Sequence, residues 1–110
     1  MASPRTPFLT QVKTIAQNTG TITVTPYDSG LIIMGNTAAM TVTLPLASSA
    51  AGVALQFIKT TTNAAAITLD GAGSETINGA TSYASMDAQW DSVEIVCNGT
   101  AWFVVDQKIA

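Results

Sequence analysis

Asp91-Ser92-Val93-Glu94-Ile95-Val96-Cys97-Asn98-Gly99-Thr100-Ala101-Trp102-Phe103-Val104-Val105 is the stretch that decides the fold. Two runs rich in β-branched and aromatic residues flank Asn98-Gly99, a dipeptide that tolerates the positive φ of a type I′ turn, so the pattern predicts a hairpin. In a two-residue-turn register, Val93 faces Val104 and Ile95 faces Trp102 on one side; Glu94 faces Phe103 and Ser92 faces Val105 on the other. The first side reads as core. The second is mixed, because Val96, Phe103 and Val105 are too apolar for water and Glu94 is too polar to bury unpaired.

Working back from the hairpin, short β-type runs recur about every ten residues. Thr21-Ile22-Thr23-Val24-Thr25 alternates throughout, which directs Ile22 and Val24 inward. Leu31-Ile32-Ile33-Met34 is continuously apolar and predicts a strand covered on both faces, by a second layer or by a neighbouring subunit. Met40 to Leu44 alternates again until Pro45 ends it, Val53 to Lys59 places Val53, Leu55 and Phe57 on a core face, and Ala65 to Leu69 repeats the pattern. Ala47 to Gly52 reads as a loop, and a very short strand is expected at Thr76 to Ile77. No segment carries helical periodicity over three turns, and no clean internal repeat is visible. About eight short strands predict an all-β, antiparallel sandwich or jelly-roll-like single domain over residues 21–110. Residues 1–20 hold Pro4 and Pro7 and predict an extended N-terminal arm that turns into a strand only near Val12 to Ala16.

Composition separates the classes of function. Only 10% of the 110 residues are charged, against about 25% in ordinary soluble domains, while 17 Ala and 17 Thr fill much of the chain. Such a surface points to association. The net charge of −3 is divided unevenly: Arg5 and Lys13 make the arm +2 and leave −5 on the remainder, which suits an arm that docks on an acidic surface of a neighbour or larger partner. Four basic residues are too few for counterion-release binding, so no nucleic-acid partner is expected. No apolar run is long enough to span a bilayer, and Met-Ala-Ser-Pro-Arg-Thr-Pro lacks a signal-peptide core, so no membrane association is expected. The single cysteine, Cys97, alternates with Val93 and Ile95 and reads as a buried thiol.

Chemistry is sparsely equipped. There is no histidine, which removes Ser/His/Asp and Cys/His arrangements. Asp87 and Asp91 flank Trp90, a pattern compatible with a sugar-cleaving pair but expected more often of turn carboxylates. Asp70, Ser74, Glu75 and Asn78 offer oxygen ligands without the spacing of a known calcium loop. Gly71-Ala72-Gly73 is followed by no Lys-Ser/Thr, which removes the phosphate-loop reading. Asn98-Gly99-Thr100 matches a glycosylation acceptor, although the turn needs the same residues. Of Trp90, Trp102, Tyr27 and Tyr83, Trp90 is the open candidate for a carbohydrate platform. No catalytic residue, cofactor or metal is assigned, and a non-enzymatic role is expected.

Ala66-Ile67-Thr68-Leu69-Asp70-Gly71-Ala72-Gly73-Ser74-Glu75-Thr76-Ile77-Asn78-Gly79, followed by the Trp90 to Trp102 run, resembles small β-rich structural proteins of tailed bacteriophages: head-decoration (cement) proteins and terminal modules of tail fibres and spikes. The likeness spans roughly residues 53 to 105. It implies a homo-oligomer, a trimer favoured, at the capsid surface of a virion assembled in the host bacterial cytoplasm, with the major capsid protein as partner. Short length and the basic arm favour decoration; the alternative is a receptor-binding, carbohydrate-binding fibre module. On this reading Arg5, Phe8, Leu9 and Lys13 form a capsid-contact arm, and Leu31, Ile33, Val96, Phe103 and Val105 form the oligomer interface.

Overall fold

The computed structural model describes residues 12–15, 20–28 and 30–109, without the side chains of residues 84 and 85. Nine strands are described: β1 (Val12–Ile15), β2 (Gly20–Thr23), β3 (Gly30–Met34), β4 (Met40–Thr43), β5 (Ala54–Lys59), β6 (Ile67–Asp70), β7 (Ser82–Met86), β8 (Ser92–Cys97) and β9 (Trp102–Lys108). They form a five-stranded sheet in the order β1-β3-β5-β8-β9 and a four-stranded sheet in the order β2-β4-β6-β7. Single 3₁₀ turns lie at Pro26–Asp28 and Ala47–Ser49; the second stands where a loop was expected.

All-β architecture is as expected, but the pairing is mixed, and a purely antiparallel arrangement does not describe it. From β1 to β6 the chain alternates between the sheets and returns in the same direction each time. Thus β1, β3 and β5 are parallel neighbours in one sheet, and β2, β4 and β6 in the other. Only β7, β8 and β9 add antiparallel edges. The chain therefore winds through three stacked rungs closed at one end by a hairpin and a single strand. Alternation cannot separate the two pairings here. Parallel strands are usually covered on both faces and read as continuous apolar runs, whereas β2, β4 and β6 bury one face only and keep a period of two.

The rungs hide their repeat by varying in length. Val12 pairs with Leu31, 19 residues on, and Leu31 with Gln56, 25 residues on. Yet Ile22, Val42 and Leu69 stack inward in register, flanked outward by Thr21, Thr41 and Thr68 and by Thr23, Thr43 and Asp70. Residues from both sheets meet in one core, which includes Ile32, Met34, Val42, Leu44, Leu55, Phe57, Ile67, Leu69, Ile95 and Trp102. β7 comes from the small, polar run 80–88, where periodicity gave little signal; its pairing with β6 places Met86 beside Ile67 and Tyr83 beside Leu69.

The hairpin forms with a different turn. Asn98 N–H donates to the Ala101 carbonyl, and the Asn98 side-chain oxygen accepts the N–H groups of Thr100 and Ala101 at 2.9 Å each, so four residues turn the chain. Within the turn only Gly99 takes a positive φ, 97°. Cys97 now faces Trp102, Val96 faces Phe103 and Ile95 faces Val104, before a bulge at Val105 brings Glu94 opposite Asp106. The shift from the expected register is two residues between the turn and the bulge, and an even shift leaves those side chains on their original faces; beyond the bulge it is three, so Lys108 and not Val105 stands opposite Ser92. Val93, Ile95 and Trp102 are buried as expected, Val104 packs against the core, and Cys97 is buried.

Candidate functional site: the outer face of the five-stranded sheet

Directly paired residues share a face of a sheet, so the register defines what the five-stranded sheet turns outward. One row runs Thr14, Ile33, Ile58, Ser92, Lys108; the next runs Val12, Leu31, Gln56, Glu94, Asp106; the third joins Ala54, Val96 and Phe103. Leu31, Ile33, Ile58 and Val96 are half-buried, while Val12, Phe103 and Val105 are 68%, 42% and 56% exposed. Four of the five residues expected at an oligomer interface, Leu31, Ile33, Val96 and Phe103, thus lie on the outward side of one sheet on three different strands, whereas Val105 is the bulged residue of β9, has no partner on β8 and lines a groove with Tyr83 and Val104. Ile58, Ala54 and Val12 join them. Ile58 was legible as the opposite-parity neighbour of Leu55 and Phe57, whereas Val12 was not, because its partner strand was unknown.

The opposite face of the molecule is chemically different. Thr21, Thr23, Thr41, Thr43, Thr68 and Asp70 cover the outside of the four-stranded sheet, with Ser82 continuing the row beside Asp70. Hydroxyl groups hydrate readily, so this face has no need of a partner. The outer face of the five-stranded sheet is mixed, its apolar side chains sharing the surface with Gln56, Glu94, Asp106 and Lys108.

Of the residues expected in a contact arm, Arg5, Phe8 and Leu9 lie outside the described residues. Lys13 lies in β1, its ammonium 3.2 Å from Asp28. Asp28 also accepts the Thr25 N–H and hydroxyl. Partial burial pushes the Asp28 carboxyl up, but these hydrogen bonds and the Lys13 charge outweigh it and hold it below the ordinary carboxylate value.

The conspicuous "T-I-N-G" segment, Thr76 to Gly79, has a mechanical role. Trp102 N–H donates to the Thr76 carbonyl and Asn78 N–H to the Trp102 carbonyl, at 2.9 and 3.0 Å. Asn78, in left-handed backbone at φ 51°, accepts the Val104 N–H on its side-chain oxygen at 2.9 Å. The segment therefore pins the outer edge of β9 from Trp102 to Val104. Beyond Val104 that edge borders a groove of about 430 Å³ lined by Asn78, Tyr83, Val104, Val105, Asp106 and Gln107.

Groups weighed for chemistry turn out to serve the backbone. Asp91 is buried and accepts the N–H groups of Asp87 and Ala88 at 3.1 and 3.0 Å, which closes the turn before β8. Glu75 accepts the Ala47 N–H at 3.0 Å, tying the 71–79 loop to the 47–49 turn. No group of three or more metal-binding carboxylates and thiols occurs among the described residues. Trp102 is core, Tyr83 packs on it, and Trp90 is 53% exposed in left-handed backbone at φ 73°.

Sequence reasoning missed Lys59. It follows Leu55 and Phe57 on the inward parity of β5 and is fully buried, its ammonium donating to Thr61 Oγ1 at 2.7 Å and Asn63 Oδ1 at 2.9 Å. Burial pushes its pKa down, and the nearby Asp87 and Asp91 recover only part of the loss. Only the parity of β5 could have flagged it. Comparison with known proteins gives no match to a family model, a curated protein or a solved structure.

Proposed function

We propose that the chain is a non-catalytic assembly subunit that buries the outer face of its five-stranded sheet against protein. Following the resemblance of residues 53 to 105, we assign it as a capsid-decoration protein of a tailed bacteriophage. It binds the head exterior as an oligomer, with a trimer favoured, and stabilises the shell by bridging capsid subunits. The observation that supports this reading is the gathering of Leu31, Ile33, Ile58, Val96 and Phe103 on one face while threonines cover the other. Exposed apolar side chains rimmed by polar ones such as Gln56, Glu94 and Asp106 mark a contact surface, and weak contacts repeated across an oligomer add through effective concentration.

Native mass measurement tests the assembly directly. The wild-type protein is expected to be oligomeric and to bind expanded heads. Phe103→Asp, at an exposed position, is expected to dissociate it while leaving the far-ultraviolet circular dichroism unchanged. A wild type that stays monomeric and ignores heads sinks the reading.

One observation favours a second role, glycan binding at a fibre tip. Trp90 sits exposed in a left-handed conformation that is uncommon for a bulky residue, beside a cleft of about 230 Å³ that it shares with Gln89, Asp91, Lys108 and Ile109. Glycan-array binding that disappears in Trp90→Ala would select this role.

A further inference from the structure

We propose that the outer edge of β9 beyond Val104 accepts the segment Arg5-Thr6-Pro7-Phe8-Leu9 of a second copy of this chain as an added strand. The inference rests on the oligomeric reading above, but not on what the oligomer decorates.

The acceptor is half-closed by design. β9 is the last strand of its sheet, and Thr76 to Asn78 covers its outer edge only as far as Val104. Val105, Asp106, Gln107 and Lys108 follow as exposed strand residues with no described strand beside them. An edge of this kind pairs readily with an extended segment. Beside it lies the 430 Å³ groove, where Tyr83, Val104 and Val105 supply apolar surface.

Charge selects the occupant. Glu94 and Asp106 stand directly opposite one another on β8 and β9, and like charges in that register repel. The ion pair described within the chain, Lys13 with Asp28, lies elsewhere. Residues 1–11 carry Arg5 and no acid, together with Phe8 and Leu9 for the groove. Pro7 lacks a donor, which an edge strand tolerates.

Reach requires that the segment come from another copy. β1 and β9 are opposite edges of the sheet, four strand spacings or about 19 Å apart, and an added strand lies one spacing further out. Three residue steps separate Leu9 from Val12 at the start of β1, and they span at most about 11 Å. A chain cannot fill its own groove with residues 5–9. The contact joins two different surfaces of two copies, and it closes either by reciprocal exchange of arms between two copies or by repetition around an axis into a ring. The arm expected to reach the capsid is assigned a nearer partner.

Mixing a Leu9→Cys chain with a Val105→Cys chain under mild oxidation tests the geometry, since only a chain-to-chain disulfide can link the two new thiols and Cys97 is buried. A covalent heterodimer is expected. Arg5→Asp and Asp106→Arg, each alone, are expected to weaken the oligomer by about tenfold or more, and their combination to restore it. No heterodimer, or unaltered assembly in both single variants, overturns the proposal. If deleting residues 1–11 leaves the oligomer intact while Phe103→Asp dissociates it, the groove proposal falls and the sheet-face reading stands. A wild type that is monomeric at every concentration removes both.

Discussion

Lys59 occupies a place where alternation calls for an apolar side chain, and its burial is tolerated because Thr61 and Asn63 accept two of its three protons. Its pKa is depressed, so at alkaline pH the folded protein releases a proton that the unfolded chain still holds. Stability therefore rises with pH between the folded pKa and the ordinary lysine value of about 10.4. Lys59→Met keeps most of the volume and abolishes that rise, which urea midpoints measured across the alkaline range would reveal; an unchanged slope would assign the effect elsewhere. Below that range the substitution removes the hydrogen bonds to Thr61 Oγ1 and Asn63 Oδ1, the latter keeping the Ala65 N–H as donor, and removes a buried charge, effects of opposite sign. Trp102 is the larger structural commitment. It is fully buried, and its indole N–H has no partner among the described residues. Trp102→Ala should cost roughly 3–5 kcal/mol by thermal or denaturant unfolding. Trp102→Phe, which keeps a ring and removes the unpartnered donor, should cost less. Gly71 is constrained by contact, since a Cβ there would run into the Glu75 carbonyl oxygen.

At the scale of elements, the coupling between the 71–79 loop and β9 joins the two sheets at their closed end. Asn78→Ala removes the acceptor of the Val104 N–H and places alanine at a φ of 51°. A loss of about 1–2 kcal/mol is expected, with faster amide exchange at Val104 than at Ile95; equal exchange at both would show that the edge is held otherwise. The individual strands were readable because each buries one face: Ile22 and Val24, Leu55 and Phe57, Val93 and Ile95 all point where their parity predicts. Strand β7 was not readable. Its stretch carries few apolar side chains, and it becomes a strand by completing the edge of β6. The hairpin turn was misjudged for a local reason: the Asn98 side chain accepts two N–H groups and sustains a four-residue turn that the Asn-Gly dipeptide did not announce.

For the whole molecule, the Lys13–Asp28 pair fastens the first rung to the turn that leads into the second. Because the Asp28 pKa is depressed, its contribution is complete above the ordinary carboxylate value near 3.9 and is lost as pH falls through the lower folded value. Asp28→Asn should remove no more than about 1 kcal/mol at neutral pH, as the pair is partly exposed. It should also flatten the acid limb of the unfolding curve, and an unchanged limb would show that other carboxylates govern it. The sequence by itself determined that the protein is all-β, which residues of each strand enter the core, and that more apolar side chains exist than one core can hide. These are consequences of a period of two, which each strand carries within itself. Tertiary structure alone decided that the strands wind in parallel rungs, that Lys59 lies inside, and that Leu31, Ile33, Val96 and Phe103 share one face. Which strands become neighbours depends on the return path of loops of unequal length, and alternation is blind to that path.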